Sequence, residues 1–425
     1  MKNTDKIRAG LKKRYAREVR FRFYGLASIV VSFLFLLVLI VSISLKGFPA
    51  FQQTYIKVDI TVDPVVLGIS NSYDKDALFK ANYAKLVRTS LQAMFPEVVE
   101  RKQKRALKQL VSSFAAYDLR DRVIDNPDLI GTRQSFWFVA KDDIDVFMKG
   151  GIDRNLPESN RRLKDFQLKW IDQLERGGRL EKRFNSVFFS SGDSREPEQA
   201  GIRGSLKGSF LTMLVTLLLS FPIGVAAAVY LEEFAPQNNR WVDLIEININ
   251  NLAAVPSIVF GLLGLAVFIS FFGVPRSAPL VGGLVLTLMT LPTIIIASRA
   301  AIKSVPPSIR EAALAVGASQ VQTTFHHVVP LAMPGILTGT IIGMAQALGE
   351  TAPLLMIGMV AFVADVPQAI TDPSTVLPVQ IYLWSDSPER AFTERTSAAI
   401  MVLLAFLVVM NFIAVLLRRK FERRW

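Results

Sequence analysis

Glu350 is the residue in this sequence whose chemistry most needs an explanation, because its carboxylate lies in the middle of a long apolar stretch. An ionised carboxylate at the centre of a bilayer is costly and should face a water-filled path or a partner rather than lipid. Gly349 and Pro353 interrupt the helical pattern beside it, since glycine loosens the backbone and proline removes a helical hydrogen bond. Two interpretations stay open. Glu350 and Thr351 lie on a solute path, or the carboxylate caps a broken helix or pairs with a cation on a neighbouring subunit.

The polar segment 311–330, between two apolar runs, shows a second pattern that could serve a function. Ser308 and Glu311 have the S-x-x-E spacing of a capping box, which predicts the start of a helix. Gly317 then predicts a break, and Pro330 predicts the end of a second short helix. The segment should therefore consist of a helix, a break and a helix.

Small and apolar side chains form one face of the first predicted helix. They are Ile309, Ala312, Ala313 and Val316, which recur at helical spacing. Such a face can lie close against another surface. An amphipathic hairpin that lies on the membrane is the alternative interpretation of the same pattern.

The composition predicts a membrane protein with soluble parts. The chain has 425 residues, of which 51% are hydrophobic and 20% are charged, so the two kinds must be segregated. The net charge of +13 does not indicate nucleic-acid binding, because lysine and arginine crowd the two ends of the chain beside apolar stretches. That placement indicates orientation in a lipid bilayer instead.

No metal site and no cofactor are expected. The chain has no cysteine, which excludes disulfides and thiolate chemistry, and its two histidines, His326 and His327, are adjacent. Asp142, Asp143 and Asp145 form an acidic cluster, but their spacing matches no calcium-binding loop. We expect this cluster to be a solvated turn.

Six apolar stretches predict six membrane-spanning helices, each needing about 20 residues. They are residues 23–45, 209–231, 252–272, 280–298, 335–363 and 397–417. The basic ends, 1–22 and 418–425, place both termini in the cytoplasm by the positive-inside rule. The same count places the 304–334 loop in the cytoplasm. A cleaved signal peptide is the alternative for the first stretch, but the apolar run is longer than the usual h-region.

Residues 46–203 form a polar insertion that the first span delivers to the outer side of the membrane. Alternating and helical periodicity predicts its elements: strands at 57–64 and 134–140, and helices within 77–119 and 160–174. The insertion is long enough for its own core, so a small α+β domain is expected. Residues 190–201 are rich in serine, glycine and charge and predict a linker back to the membrane.

The spacing of Glu311-Ala312-Ala313, Gly317 and Pro330 resembles the EAA loop in permease subunits of ABC importers. The resemblance implies that residues 304–334 form a cytoplasmic coupling loop, which docks in a groove of a separate ATP-binding subunit. It also implies an α-helical integral membrane protein of the type I ABC importer permease fold. The permease core would be 204–417, with the α+β domain inserted before it.

Two further stretches resemble permeases of phosphate ABC importers: 347–355 (ALGETAPLL) and 248–265 (NINNLAAVPSIVFGLLGL). The resemblance covers about residues 206–415 and leaves the role of the insertion open. It implies a transport subunit of the inner membrane that moves inorganic phosphate. Its implied partners are a second permease subunit, two copies of an ATP-binding subunit and an extracytoplasmic phosphate-binding protein. The chain has no G-x-x-x-x-G-K-[ST] motif, so ATP hydrolysis is assigned to a partner and not to this chain.

An acidic residue on the path of an anion can provide selectivity. Phosphate near neutral pH carries protons and sulfate does not, so the acceptor-only carboxylate of Glu350 can accept an O–H group from phosphate alone. Members of the resembling family often carry arginine where this chain has Gln346. Arg299, at the inner end of the fourth span, is therefore the candidate cation of the path. Its alternative is an ordinary arginine at the membrane interface.

Three other functions compete with this interpretation. A permease for another oxyanion, such as sulfate or molybdate, would keep the loop. A membrane sensor would read a ligand through residues 46–203, but it would need a cytoplasmic output domain. A proton-coupled secondary transporter would normally carry several intramembrane ionisable groups and an inverted repeat.

Overall fold

The computed structural model describes residues 3–69, 74–236, 238–360 and 362–421. The chain opens with one helix of 45 residues, α1 (Asn3–Gly47). At 1.5 Å per residue this helix is about 67 Å long, much longer than the ~30 Å hydrocarbon core of a bilayer. The predicted first span and the basic segment before it are therefore one helix. The last residues of the predicted basic tail, 422–425, lie outside the described residues.

An antiparallel sheet with strand order β2-β1-β3 forms the centre of an α+β unit between α1 and the other long helices. Its strands are β1 (Gln52–Thr61), β2 (Arg133–Val139) and β3 (Leu180–Phe184). Ile56, Val58 and Ile60 alternate along β1 and point into the core, where each is fully buried. The two predicted strands overlap β1 and β2. The sequence did not predict β3, because its LEKRF segment is mostly charged.

Short helices cover one face of this sheet. They are α2 (Pro64–Leu67), α3 (Lys75–Lys80), α4 (Tyr83–Met94), α5 (Arg101–Lys108), α6 (Ala115–Asp125), α7 (Asp142–Met148), α8 (Asp165–Arg176) and α9 (Ser186–Ser190). Leu107, Leu119 and Ile171 are completely buried between these helices and the sheet. The α+β unit therefore has a hydrophobic core of its own, separate from the packing of the long helices.

The rest of the described chain is helical. Its helices are α10 (Arg203–Val229), α11 (Arg240–Ala253), α12 (Ser257–Leu263), α13 (Pro279–Lys303), α14 (Pro307–Ala315), α15 (Gln320–Thr323), α16 (Val329–Gly349), α17 (Ala352–Met356), α18 (Leu377–Ser385) and α19 (Ala391–Phe421). Among the described residues, five helical segments are long and apolar enough to cross a membrane. A bent helix pair could supply a sixth crossing.

That bent pair contains the third span predicted at 252–272. α11 ends at Ala253, α12 begins at Ser257, and the two segments meet at 105°. Pro256 lies at the bend in an extended conformation, and a proline disfavours helical geometry in the residue before it. A π-helical segment, Gly264–Phe271, continues α12. The apolar run was visible in the sequence, but its direction was not.

The fifth span ends earlier than the predicted 335–363. α16 ends at Gly349, and Glu350 has an extended conformation with ψ of 127°. The short α17 follows, and residues 357–360 and 362–376 form turns and irregular structure. Pro353, in the first turn of α17, cannot donate the hydrogen bond that would continue α16.

Glycines allow α10, α13 and α16 to pack closely. A Cβ added to Gly283 would lie 2.5 Å from Val215 on α10, and one added to Gly339 would lie 2.2 Å from the Ala297 side chain. Such small residues let helix backbones approach where lipid provides no hydrophobic driving force. The three helices form the frame that positions both the loop after α13 and the break after α16.

A buried layer of charged side chains joins the α+β unit to the first turn of α19. Its members are Asp142, Asp145, Lys149, Glu198, Glu394 and Arg395. Lys149 Nζ lies 2.5 Å from an oxygen of Asp145 and 3.4 Å from an oxygen of Glu394, so it bridges the two parts. The guanidinium of Arg395 donates a hydrogen bond of 2.6 Å to the carbonyl of Ala200.

One expectation is wrong at this layer. The predicted solvated turn is part of α7, and its Asp142 and Asp145 are buried. Residues 190–201, predicted as a linker, connect α9 to α10 and are packed, since Glu198 is buried and a Cβ on Gly201 would lie 2.3 Å from the Ser191 carbonyl oxygen. Buried cations need nearby carboxylates. Lys149 is close to these carboxylates in sequence, but Arg395 of α19, which lines the same layer, is far away, so local spacing could not reveal the whole layer.

The charged layer predicts a pH dependence. Burial raises the pKa of the Glu198 carboxyl and of the Asp142 carboxyl. A carboxyl with a raised pKa binds more protons in the folded state, so stability falls as pH rises from the ordinary pKa through the raised one. We expect Glu198→Gln to reduce the fall in unfolding temperature between pH 5 and pH 8. Thermal unfolding of the purified full chain measures this. The exposed Glu97→Gln is the control, and an unchanged slope for Glu198→Gln would contradict the assignment.

Candidate functional site

The loop after α13 begins with α14, but not through the predicted capping box. Pro306 is the N-cap residue of α14 and Pro307 is its first helical residue, so Ser308 already lies inside the helix. Proline suits this position because its φ is preset and no N–H group is needed there. The capping box of this loop starts α15 instead. Ser319 Oγ accepts from the Gln322 N–H at 3.3 Å, and Gln322 Oε1 accepts from the Ser319 N–H at 2.9 Å.

Gly317 makes the break that the sequence predicted. Its φ is +90°, a left-handed conformation that favours glycine, and it follows the end of α14 directly. The segment therefore turns sharply between α14 and α15.

Pro330 does not end a helix, which corrects the second predicted boundary. α15, a π-helical turn (Thr324–Val328) and α16 form one helical segment, Gln320–Gly349, and Pro330 lies in the first turn of α16. The Val329 N–H bonds to the Thr324 carbonyl, so the wider π-turn comes just before the proline and accommodates it. The loop is thus continuous with the helix that ends beside Glu350.

Arg310 fixes α14 to the end of α10. Its guanidinium donates to the Glu233 carboxylate at 2.7 Å and 3.1 Å, and to the carbonyls of Ile302 and Val305 at 3.0 Å and 2.7 Å. The Gln320 side chain also donates to the Glu233 carbonyl. Glu233 therefore holds both sides of the break at Gly317.

The predicted small face of α14 is divided between two sides. Ala313 is buried and Ile309 packs against the neighbouring helices, whereas Glu311, Ala312 and Val316 are exposed. The exposed side continues into further apolar residues. We call this surface the coupling patch: Ala312, Leu314, Val316, Val321 and Phe325. Sequence reasoning found two of its five members.

Arg299 bridges two carboxylates instead of standing free. It donates to Glu232 at 2.7 Å and to Glu246 at 2.6 Å, which ties α13 to the end of α10 and to α11. Gly335 lies against Ala301 and Gly339 against Ala297, so Arg299 is level with the first half of α16. Glu350 is about 20 Å further along that helix axis. The structure does not bring Arg299 and Glu350 together.

Glu350 lies at a break that neighbouring helices support from one side. A Cβ on Gly261 of α12 would lie 2.7 Å from Pro353 Cα, and Leu354 and Ile357 are buried behind it. On the other side, Gln346 and Gly349 are exposed and Glu350 is half-buried. Gln346 lies in the last turn of α16 and Glu350 directly follows this helix, so both polar groups lie at the same end of α16. Thr351 adjoins them as the N-cap residue of α17.

Two family models match this chain. Residues 220–425 match the model described as a binding-protein-dependent transport system inner membrane component. Residues 8–158 match a model described as a domain of unknown function, DUF3333.

Named relatives match about half of the chain's length. The phosphate transport system permease protein PstA 1 of Mycobacterium tuberculosis is 32% identical over 231 residues, which are 54% of this chain and 73% of that protein. PstA of Haemophilus influenzae is 30% identical over 218 residues, 50% of this chain and 74% of the relative. This chain belongs to the PstA-like permeases of ABC importers. Membership confirms the predicted family and its type I importer permease fold.

Other relatives cover less or are more distant. The probable ABC transporter permease protein YqgI of Bacillus subtilis is 37% identical over 169 residues. These residues are 40% of this chain, and the chain spans 56% of that relative's length. A structure of the MetNI methionine ABC transporter in inward-facing conformations aligns at 18% identity and a TM-score of 0.44. That alignment covers 52% of this chain and 96% of the other.

Some residues of this PstA-like permease escaped the sequence analysis. Ser319 and Gln322 have the S-x-x-Q spacing of a capping box, so the sequence does contain this signal. The predicted capping box at Ser308 and Glu311 was the wrong one of the two. The pair of Glu233 and Arg310 left no signal, because 77 positions separate its members. The arginines that pair with Glu232 and Glu233 likewise come much later in the chain.

Arg310→Met should loosen the loop. Removing the guanidinium leaves the Glu233 carboxylate, which is only 8% exposed, without its cation, a change that typically costs about 3–5 kcal/mol. We expect a lower unfolding temperature and faster proteolysis at 316–320, with partial recovery in Arg310→Met/Glu233→Gln. Lys303→Met, which removes an exposed base nearby, is the control. Equal protease resistance in Arg310→Met and the control would show that the Arg310–Glu233 pair does not hold the loop in place.

Proposed function

We propose that this chain is the permease subunit of an ATP-driven importer of inorganic phosphate. The family relation supports the importer class, and the printed names of the PstA relatives support phosphate as the solute. The observation that carries the proposal is the single helical segment Gln320–Gly349, because it connects the loop at one end with the break at Glu350 at the other. A displacement at the loop can be passed to the break along that helix.

The coupling patch is the proposed contact with an ATP-binding subunit. Val316 is 85% exposed at the tip beside Gly317, and Leu314, Val321 and Phe325 are each more than half exposed. Exposed apolar groups of this kind mark a protein contact more often than a solvated surface. The Arg310 and Glu233 pair supports the patch from behind, so force applied there reaches α10 and α13 as well as α16.

The proposed solute path passes the end of α16 that carries Gln346 and Glu350. Glu350 would accept an O–H group of phosphate, which sulfate lacks, and Thr351 and Gln346 would offer neutral hydrogen bonds. Arg299 is held by Glu232 and Glu246, so we assign it to positioning α11 and α13. The positive charge for the anion would then come from the second permease subunit across this end of α16.

The remaining partners and the orientation belong to the same proposal. Both termini and the loop 304–334 would be cytoplasmic, with the α+β unit outside the inner membrane. Two copies of an ATP-binding subunit would hydrolyse ATP, and a phosphate-binding protein outside the membrane would deliver the solute. The long basic helix α1 supports this orientation, because its arginine-rich part precedes the apolar part.

Glu350→Gln should lower phosphate uptake by about tenfold or more, since a charged hydrogen-bond acceptor contributes roughly 1.5–3 kcal/mol. The amide is neutral and adds donors, so sulfate should also compete better for uptake than it does in the parent protein. Uptake of radiolabelled phosphate into vesicles with the complete transporter, with and without sulfate, measures both effects. Asp386→Asn, a change of an exposed carboxylate, is the control. Phosphate uptake equal to that of the parent protein would show that Glu350 is not on the path. Uptake of sulfate by the parent protein would contradict the assignment of phosphate as the solute.

Val316→Glu should release the ATP-binding subunit from the membrane, because a charge would replace an apolar group at the centre of the coupling patch. Val65→Glu is the matched control, since Val65 is 84% exposed and lies in the α+β unit. Co-purification of the ATP-binding subunit with each variant is the measurement. A double substitution of Ala312 and Ala313 is less informative, because Ala313 is buried. Equal co-purification of the two variants would contradict docking at this patch.

A further inference from the structure

Four phenylalanines form an exposed aromatic surface on the α+β unit. We call it the phenylalanine patch: Phe48, Phe51, Phe184 and Phe189. Phe189 stacks between Phe51 and Phe184, with ring centroids 5.8 Å and 5.7 Å apart and interplanar angles of 10° and 6°. Phe48 meets Phe51 edge to face at 5.9 Å. Phe184 and Phe48 remain 66% and 65% exposed, so the rings are ordered against each other but are not covered.

Three separate parts of the chain are held together to make this patch. Phe48 and Phe51 lie in the 3-10 turn that follows α1, Phe184 ends β3, and Phe189 lies in α9. Asn185 fixes them, since its backbone N–H donates to the Phe51 carbonyl at 2.8 Å and its side chain donates to the Ala50 carbonyl at 2.9 Å. The buried asparagine therefore holds the phenylalanine patch in one conformation as part of the fold.

The position of the patch along the long helices is set by its neighbours. α1 ends at Gly47, where an added Cβ would lie 2.9 Å from the Ala398 backbone nitrogen of α19. Ala50, Phe188, Ile202 and Ala398 share one buried cluster. The end of α1, the residue before α10 and the start of α19 therefore lie in one layer. The patch is at the edge of this layer, where the ends of the apolar helices meet.

Lipid is the occupant that these observations favour. The apolar run of α1 is mostly exposed, and the same helical segment continues to Phe51. The patch thus extends an exposed apolar surface of the kind that faces hydrocarbon in a spanning helix. Exposed lysines flank it, Lys46 in the last turn of α1 and Lys182 two residues before Phe184 on the same side of β3. Aromatic rings bordered by basic side chains suit the headgroup region of a bilayer.

We propose that the phenylalanine patch inserts into the interface of the bilayer and holds the α+β unit against the membrane surface. The unit would then have two attachments: the charged layer to α19 and the patch to lipid. This inference does not depend on the solute or on which side of the membrane the unit lies. It assigns a lipid contact to a part of the chain that the permease family model does not cover.

The absence of cysteine makes a direct test possible, because single cysteines can carry a spin label without other changes. Phe184→Cys and Phe48→Cys report on the patch. Phe79→Cys is the matched control, since Phe79 is a phenylalanine of α3 with 59% exposure and lies outside the patch. Each labelled full chain is reconstituted, with its co-purified subunits, in vesicles of phosphatidylethanolamine and phosphatidylglycerol. Paramagnetic relaxation by oxygen and by a water-soluble nickel complex then measures depth.

We expect the ratio of oxygen to nickel accessibility at Phe184 and Phe48 to exceed that at Phe79 several-fold. High nickel accessibility at Phe184, equal to that at Phe79, would place the patch in water and overturn the proposal. Low accessibility to both reagents would also overturn it, because the patch would then be covered by a protein, either a partner subunit or a second copy of this chain.

A second variant tests whether the rings hold the unit down. Phe184→Asp in the Phe48→Cys protein should raise nickel accessibility at the label several-fold, since a carboxylate is expelled from the interface. Phe79→Asp in the same background should leave it unchanged. Phe184 is two-thirds exposed, so the substitution leaves the core intact, and the unfolding temperature checks this. No change with Phe184→Asp would refute the anchoring role.

Discussion

Helical continuity between the break at Gly317 and the break at Glu350 is the constraint on which the rest of the permease depends. A helix hydrogen-bonded along its length moves as one body, whereas a helix that ended at Pro330 would leave the loop free to move alone. The π-turn at Thr324–Val328 allows the continuity, because the wider turn accommodates the missing N–H of the proline. The two functional regions are therefore ends of the same element.

Ion pairs near the loop connect the neighbouring helices to one another and to α14. Arg310 ties α14 to Glu233, and Arg299 ties α13 to Glu232 and Glu246. Both arginines are partly buried with their carboxylates, and such pairs stabilise one geometry because separating them leaves a charge without a partner. Glycines at the contacts of α13 with α10 and α16 bring the same helices close. The loop is thus attached to three long helices, and the Glu350 break is supported by α12 and α13.

The features that sequence could predict are those with a local or periodic signal. The long apolar stretches, the strands β1 and β2, the break at Gly317 and the family spacing of 311–330 were all recognisable. The features it could not predict depend on partners far apart. The buried carboxylates of α7 look like a solvated turn until Lys149 and, from α19, Arg395 are placed in the same layer. Arg299 looks like a free cation until α11 folds back at Pro256, and β3 is hidden by its charges.

Spin-label distance measurement along the helix tests the central claim most directly. Labels at Gln322→Cys and Ile342→Cys, exposed positions outside the coupling patch and the proposed path, are separated by a helical distance of about 30 Å at 1.5 Å per residue. The continuous-helix account predicts one narrow distance that stays the same in the assembled transporter without nucleotide and with ATP bound. A distance that broadens or changes by a helical turn between the two states would show that the segment bends at the π-turn, and would contradict the account.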